Sequence, residues 1–391
     1  MRSLLLPLVL VAGCGPCGQI LPAATAARAT AGVIASRDLP RCLPEGGALE
    51  ERSLGELESA ALRAEDDGDA ARMLACADEA LRVDERHGHA VHLRAVALVG
   101  LERWEEAKEA FALALALEPD DPYVLAGAAD LYVNHLPFSR SRAVAGVALA
   151  ERGLSRVSAG SRDDELAFRL HLLAAWAQAD LGEFRGGLEH ARAALALRPG
   201  DRDAQVELGR ALFELTRFRE AAELLEGWTA RATDDAEAFY LLGLTLERIP
   251  GREASAEEAL ARATLLDPEE FPPPVPVDAT WVDEAIASLP PVEKRLLERA
   301  RVPVRMESLP ALDDLRAEDP PLSPTAVGMF RGPPIGIDAA EPREILLFSR
   351  NLARSSRDAA GVREQVRITL LHELGHLAGE NEAELRARGL E

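Results

Sequence analysis

Residues Arg202–Asp235, RDAQVELGRALFELTRFREAAELLEGWTARATDD, form the stretch on which the fold turns. Apolar residues recur there at helical spacing in two runs, separated by the polar break Thr216-Arg217. Units beginning at Phe168 and Ala236 align with it without slippage, a period near 34 residues. Ala175, Gly209 and Gly243 then share one position, a small residue where paired helices approach closely. Gly88–Asp121 is a further unit, with Ala95, Ala107, Phe111, Ala114 and Pro119 in the corresponding places. A weaker unit spans Leu54–His87, and a distorted one spans Pro122–Val157 with an extended turn around Pro137. The unit at Ala236 carries an extra residue near Pro250-Gly251. A fixed period favours a solenoid of helical hairpins over 54–268 rather than a closed alanine-rich bundle.

These small-residue contacts, with proline closing the second helix, resemble the tetratricopeptide repeat. The resemblance implies an α-solenoid whose concave face binds a protein or peptide; the alternative is a spacer that only holds the rest of the chain.

After proline-rich 271–276 the pattern changes. Helices are expected near Ala279–Ser288 and Val292–Ala300, and strands near Val302–Glu307, Val327–Arg331 and Glu344–Phe348. Asp313–Pro324 is expected to be a loop. A helix then carries Val362, Val366, Leu370, Leu374 and Leu377 on one stripe, with Asp358 or Ser356 as its cap. The expected class is therefore mostly α, a solenoid followed by a small α+β domain at 274–391. Glu344–Phe348 is expected to be an edge able to pair with an extended chain.

The last helix contains His372-Glu373-Leu374-Gly375-His376. Residues four apart share a helix face, so the two imidazoles can aim at one metal ion, with Glu373 beside them to take a proton from water. Gly379 can end the helix in the left-handed turn and bring a later side chain back. No other histidine follows His190, so a third ligand here has to be a carboxylate. Spacing after Gly379 points to Glu382, with Glu380 and Glu384 as competitors. The alternative is a surface helix with two solvated histidines.

Val327–Gly332, Ile345–Phe348 and Thr369–Gly379 resemble the small bacterial zincin-like metallopeptidases, whose motif is HExxHxxGxxD. The resemblance implies a zinc peptidase with His372, His376 and position 382 as ligands and Glu373 as general base. Position 382 is Glu here rather than Asp. The domain has no tyrosine and no spare histidine for a developing oxyanion, which leaves Arg331, Arg343, Arg350, Arg354, asparagine or backbone N–H groups.

A net charge of −22 argues against nucleic acid or anionic lipid as an electrostatic partner. Arg2 precedes the apolar run Leu4–Ala12, a signal-peptide core too short to span a bilayer. Val11-Ala12-Gly13-Cys14 resembles a bacterial lipobox, which implies removal of 1–13 and lipid attachment at Cys14, followed by an Ala-, Gly- and Pro-rich tether at 14–53. The implied location is the cell envelope, on the periplasmic face of the outer membrane, with plain secretion as the alternative. Cys14-Gly15-Pro16-Cys17 also matches a thiol-redox motif, but no βαβ unit surrounds it. With Cys14 lipidated, Cys17, Cys42 and Cys76 allow at most one disulfide, and helical Cys76 is expected to be buried rather than paired.

Overall fold

A computed structural model of the protein describes residue 42 and residues 53–157, 164–317, 319–337 and 342–390. The expected signal segment, Cys14, Cys17 and all of the tether except Cys42 and Ser53 lie outside the described residues. The chain divides into two compact units, 23–204 and a C-terminal unit beginning at Gln205.

The first unit holds the hairpins α1 Leu54–Asp66 with α2 Ala70–Val83, α3 Gly88–Gly100 with α4 Trp104–Leu117, α5 Pro122–Asp130 with α6 Arg140–Arg156, and α7 Asp164–Leu181 with α8 Phe184–Leu197. Ser53 and Glu56 cap α1 reciprocally. The distorted unit is explained by a π-helical turn, Leu131–His135, that follows α5 before the chain reaches Pro137. The reversal inside most hairpins needs one left-handed residue: Gly68 (φ 69°), Glu102 (φ 56°), Gly182 (φ 75°), Thr216 (φ 55°) and Gly251 (φ 83°). Gly68 to Glu102 and Gly182 to Thr216 are each one period apart, and Gly251 falls one residue late, at the extra residue near Pro250.

Cys76 is buried as expected, but it is also paired. It forms a disulfide with Cys42, closing a separation of 34 residues. Helical position did not prevent pairing because Cys42 is itself buried against α2, where its carbonyl accepts Arg72 Nε–H at 3.3 Å. Closing a loop of this length stabilises by roughly 2–4 kcal/mol. Dithiothreitol should therefore lower the unfolding free energy extrapolated from urea titrations by that amount and shift the midpoint down, and Cys42→Ser should reproduce the shift. A midpoint indifferent to both would show that the bridge contributes nothing.

The C-terminal unit starts with two more hairpins, α9 Arg202–Glu214 with α10 Phe218–Thr229 and α11 Ala236–Leu246 with α12 Glu253–Leu266. A Cβ on Gly209 would lie 2.8 Å from Leu225 Cδ2, and one on Gly243 would lie 2.5 Å from Leu260 Cγ, so the small residues do mark close helix contact. Between them Arg210 is buried with Glu207 at 3.3 Å and Glu237 at 2.6 Å. Burial pushes the Glu214 carboxyl up to about 7, against the pull of Ser323 and Arg210. A carboxyl raised in the folded state contributes stability that is complete below its unfolded value and is lost as pH rises through 7. Glu214→Gln should flatten the loss of stability between pH 5 and pH 8 in urea titrations; an unchanged slope would refute the assignment.

Next come α13 Thr280–Ala287, α14 Pro291–Ala300, β1 Val304–Glu307, a short α15 Leu312–Leu315, β2 Gly328–Arg331, β3 Glu344–Phe348, α16 Ser349–Leu352, α17 Ala359–Ala378 and α18 Glu382–Ala387. The order in the sheet is β1-β3-β2, with β3 parallel to β1 and antiparallel to β2. Glu344–Phe348 is thus the central strand and not an edge, consistent with Ile345–Phe348 being fully buried. The free edges belong to β1 and β2. Asp313–Pro324 is not wholly a loop either, since α15 includes Asp313–Leu315, and Leu315 and Leu322 are buried.

Candidate metal centre

The site is built on α17. Asp358 accepts Gly361 N–H at 2.8 Å and starts the helix; Val362, Val366, Leu370, Leu374 and Leu377 bury its stripe. Gly379, at φ 92°, ends it, and the chain reverses into α18. That reversal places Glu382 opposite His372 and His376. The three contribute ligand-type atoms within 4.8 Å of one another. His376 Nε2 lies 3.1 Å from His372 Nε2 and 3.3 Å from Glu382 Oε1.

Each imidazole is held from behind. His372 Nδ1 meets the Leu390 carbonyl at 2.6 Å, and His376 Nδ1 meets the Glu380 carbonyl at 3.1 Å. A carbonyl only accepts, so each Nδ1 carries the proton and each Nε2 turns a lone pair into the site. Two lone pairs and a carboxylate oxygen this close repel unless a cation or proton stands among them. Burial lowers the His376 pKa, but the Glu382 carboxylate and the charge of Glu373 outweigh it and hold it above the usual imidazole value. A divalent ion would satisfy this N,N,O set in place of that proton.

The competing residues are committed elsewhere. Asn381 caps α18, accepting from Ala383 and Glu384; Glu384 returns the bond to Asn381 N–H; and Glu380 pairs with Arg388 at 2.6 Å. The four arginines are also engaged. Arg331 bridges Asp314 and Glu344, and Arg343 donates to the carbonyls of Pro333, Pro334 and Ile337. Arg350 and Arg354 both pair with buried Glu247.

Glu373 is buried, and its Oε2 has no hydrogen-bond partner among the described residues. Burial pushes its carboxyl up to about 8, resisted by His376 and the Phe330 N–H and reinforced by Glu382. That N–H belongs to the free side of β2. Phe348 N–H bonds the Val327 carbonyl at 2.9 Å, so by antiparallel alternation Gly328 and Phe330 point their N–H and C=O groups away from β3. The sequence had not marked β2 as the edge beside the site; the glycine at 328 was the available signal. A Cβ there would sit 2.3 Å from Thr369 Cγ2 and 3.1 Å from Glu373 Oε1. Gly328→Val should therefore cost about 1–3 kcal/mol in urea unfolding by overpacking; full retention of stability would disprove this close approach.

Residues 299–390 match the family model described as zincin-like metallopeptidase, and residues 178–244 match that of the tetratricopeptide repeat. No curated protein matches the chain. Solved structures similar to it include YrrB, described as a TPR protein with an unusual peptide-binding site, at 21% identity and TM-score 0.41, covering 49% of this chain and 93% of that one. PilW, described as a type IV pilus biogenesis factor, gives 20% identity and TM-score 0.46, covering 56% and 96%. Pseudomonas aeruginosa pilF gives 15% and 0.46, covering 56% and 94%. Likeness at this level carries no functional argument.

Proposed function

We propose that the chain is a zinc-dependent peptidase whose repeats bind a protein partner or substrate. The observation that carries this is the convergence of His372, His376 and Glu382, with both imidazole lone pairs turned inward by backbone carbonyls. Zinc held there supplies Lewis-acid polarisation of a carbonyl and acidifies water. A cation bound beside Glu373 would offset the burial that raises its carboxyl, and the ionised group then takes the proton from the attacking water on Oε2 and passes it to the leaving amine. The outward N–H of Gly328 and the outward C=O groups of Gly328 and Phe330 align an extended substrate by strand addition, while the Phe330 N–H stays on Glu373. The four arginines are each engaged in an ion pair or carbonyl contact, and a backbone N–H is the donor this reading assigns to the oxyanion. Zinc should bind at one equivalent to wild type and fall at least tenfold in affinity in Glu382→Ala; equal affinity would remove Glu382 from the site.

The partner surface is a groove of about 610 Å³ in the first unit, where Val96, Phe111 and Tyr123 lie among the carboxylates of Glu65, Glu118 and Asp121. Arg169 in the lining is paired with Asp130 at 3.0 Å, so the groove is anionic and suits a segment with basic and apolar side chains.

Export with lipid attachment at Cys14, on the periplasmic face of the outer membrane, belongs to the same proposal. The Cys42–Cys76 disulfide supports export, because such bonds persist in oxidising compartments. Mass spectrometry of the mature N-terminus tests it: an unprocessed Met1 or an unmodified Cys14 would overturn the anchor. The second reading is a non-enzymatic assembly protein with the same metal site, favoured by the lack of a tyrosine or a third histidine in the sequence of 274–391. Zinc binding without any proteolysis would select that reading.

A further inference from the structure

The segment between β1 and β2 lies on the last two repeat hairpins as a ligand would. Leu315, Leu322 and Ala326 are buried in one cluster with Val206, Phe213 and Leu241. Arg316 donates from Nε to Thr216 Oγ1 at 2.8 Å and from Nη2 to the Thr216 carbonyl at 2.9 Å. Thr216 is the β-branched residue in the left-handed turn, a conformation that needs support from its surroundings. Arg248 donates to the Pro310 carbonyl, and Leu322 N–H closes the segment on the Leu315 carbonyl at 2.9 Å. At its far end buried Asn351 holds the carbonyls of Pro324 and Ala326 at 3.0 and 2.6 Å.

The segment runs directly into β2, whose side chains alternate. Met329 packs on the repeat cluster, while Phe330 packs on the cluster that contains the stripe of α17. Gly328 lies against Thr369 and Glu373. One strand is thus the layer between the last repeats and the general base. The three candidate ligands sit on α17 and α18, outside the 310–326 segment.

We infer that the last two hairpins are part of the active-site scaffold, with Arg316 as a positioning residue that acts through the Thr216 turn and the 310–326 segment to hold the substrate-aligning edge of β2. The kinetic part of this inference rests on the peptidase reading; the structural part does not. The experiment is amide hydrogen exchange on the full chain, wild type against Arg316→Ala, with zinc affinity measured on both. Losing two charge-assisted bonds should speed exchange at Gly328–Arg331 by about tenfold or more, leave 369–374 unchanged, and leave zinc affinity within about twofold. Where the wild type cleaves peptide, KM should rise with little change in kcat, and Arg316→Lys should recover part of the loss. If Arg316→Ala is too unstable to study, Thr216→Ser, which retains both acceptors, should exchange like wild type, and Thr216→Ala should exchange faster at β2. Unchanged exchange at Gly328–Arg331 in Arg316→Ala, or acceleration spread equally over 369–374, overturns the inference. A wild type that cleaves nothing leaves the exchange result standing and defeats only the peptidase reading.

Discussion

Glu373→Gln should retain one zinc per chain and lose roughly 10²–10⁴ of the peptidase rate, the usual contribution of a positioned general base. The substitution keeps the side-chain volume and the acceptor facing Phe330 N–H, so α17 and β2 should hold their places. It removes the buried oxygen that has no partner among the described residues. Zinc stoichiometry by competition with a chromogenic chelator and cleavage of an unfolded protein should be read from one preparation. Equal cleavage by the two proteins would remove Glu373 from the mechanism, even with the metal site intact. Loss of zinc in the variant would instead make Glu373 part of the metal's support.

The second large effect lies in the repeats. Arg210→Met should destabilise the protein by about 3–5 kcal/mol at pH 8, because Glu207, Glu237 and Glu214 surround the guanidinium in a nearly solvent-free site. Methionine fills the volume, so the loss is electrostatic and not a cavity. The variant should recover stability as pH falls toward 5 and the carboxyls take up protons, the opposite of an ordinary salt-bridge loss. A pH-independent change of under 1 kcal/mol would mean that the cluster is solvated and its charges are screened.

The repeats were legible because a fixed period of small residues reports helix contact directly; Gly209 and Gly243 are tight in space for the reason their spacing implied. The meeting of His372, His376 and Glu382 was legible because i,i+4 geometry and a left-handed glycine are local. Spacing after Gly379 already pointed to Glu382, whereas what occupies Glu380 and Glu384 instead, the Arg388 pair and the capping of α18, are contacts and not patterns. Strand order was hidden, since an apolar run such as Ile345–Phe348 suits a central strand as well as an edge, and pairing is decided by 304–307 and 328–331 lying on either side. The Cys42 bridge was hidden for a similar reason: helical patterning says that Cys76 faces inward, not what meets it there.

That bridge also sets a load path. Tension applied to the chain ahead of Cys42 reaches α2 through sulfur, so residues 43–75, α1 among them, carry none of it while the bond is intact. A protein tugged at its leading end would surrender no length from its first helix, and only chemical reduction would bring that slack into play.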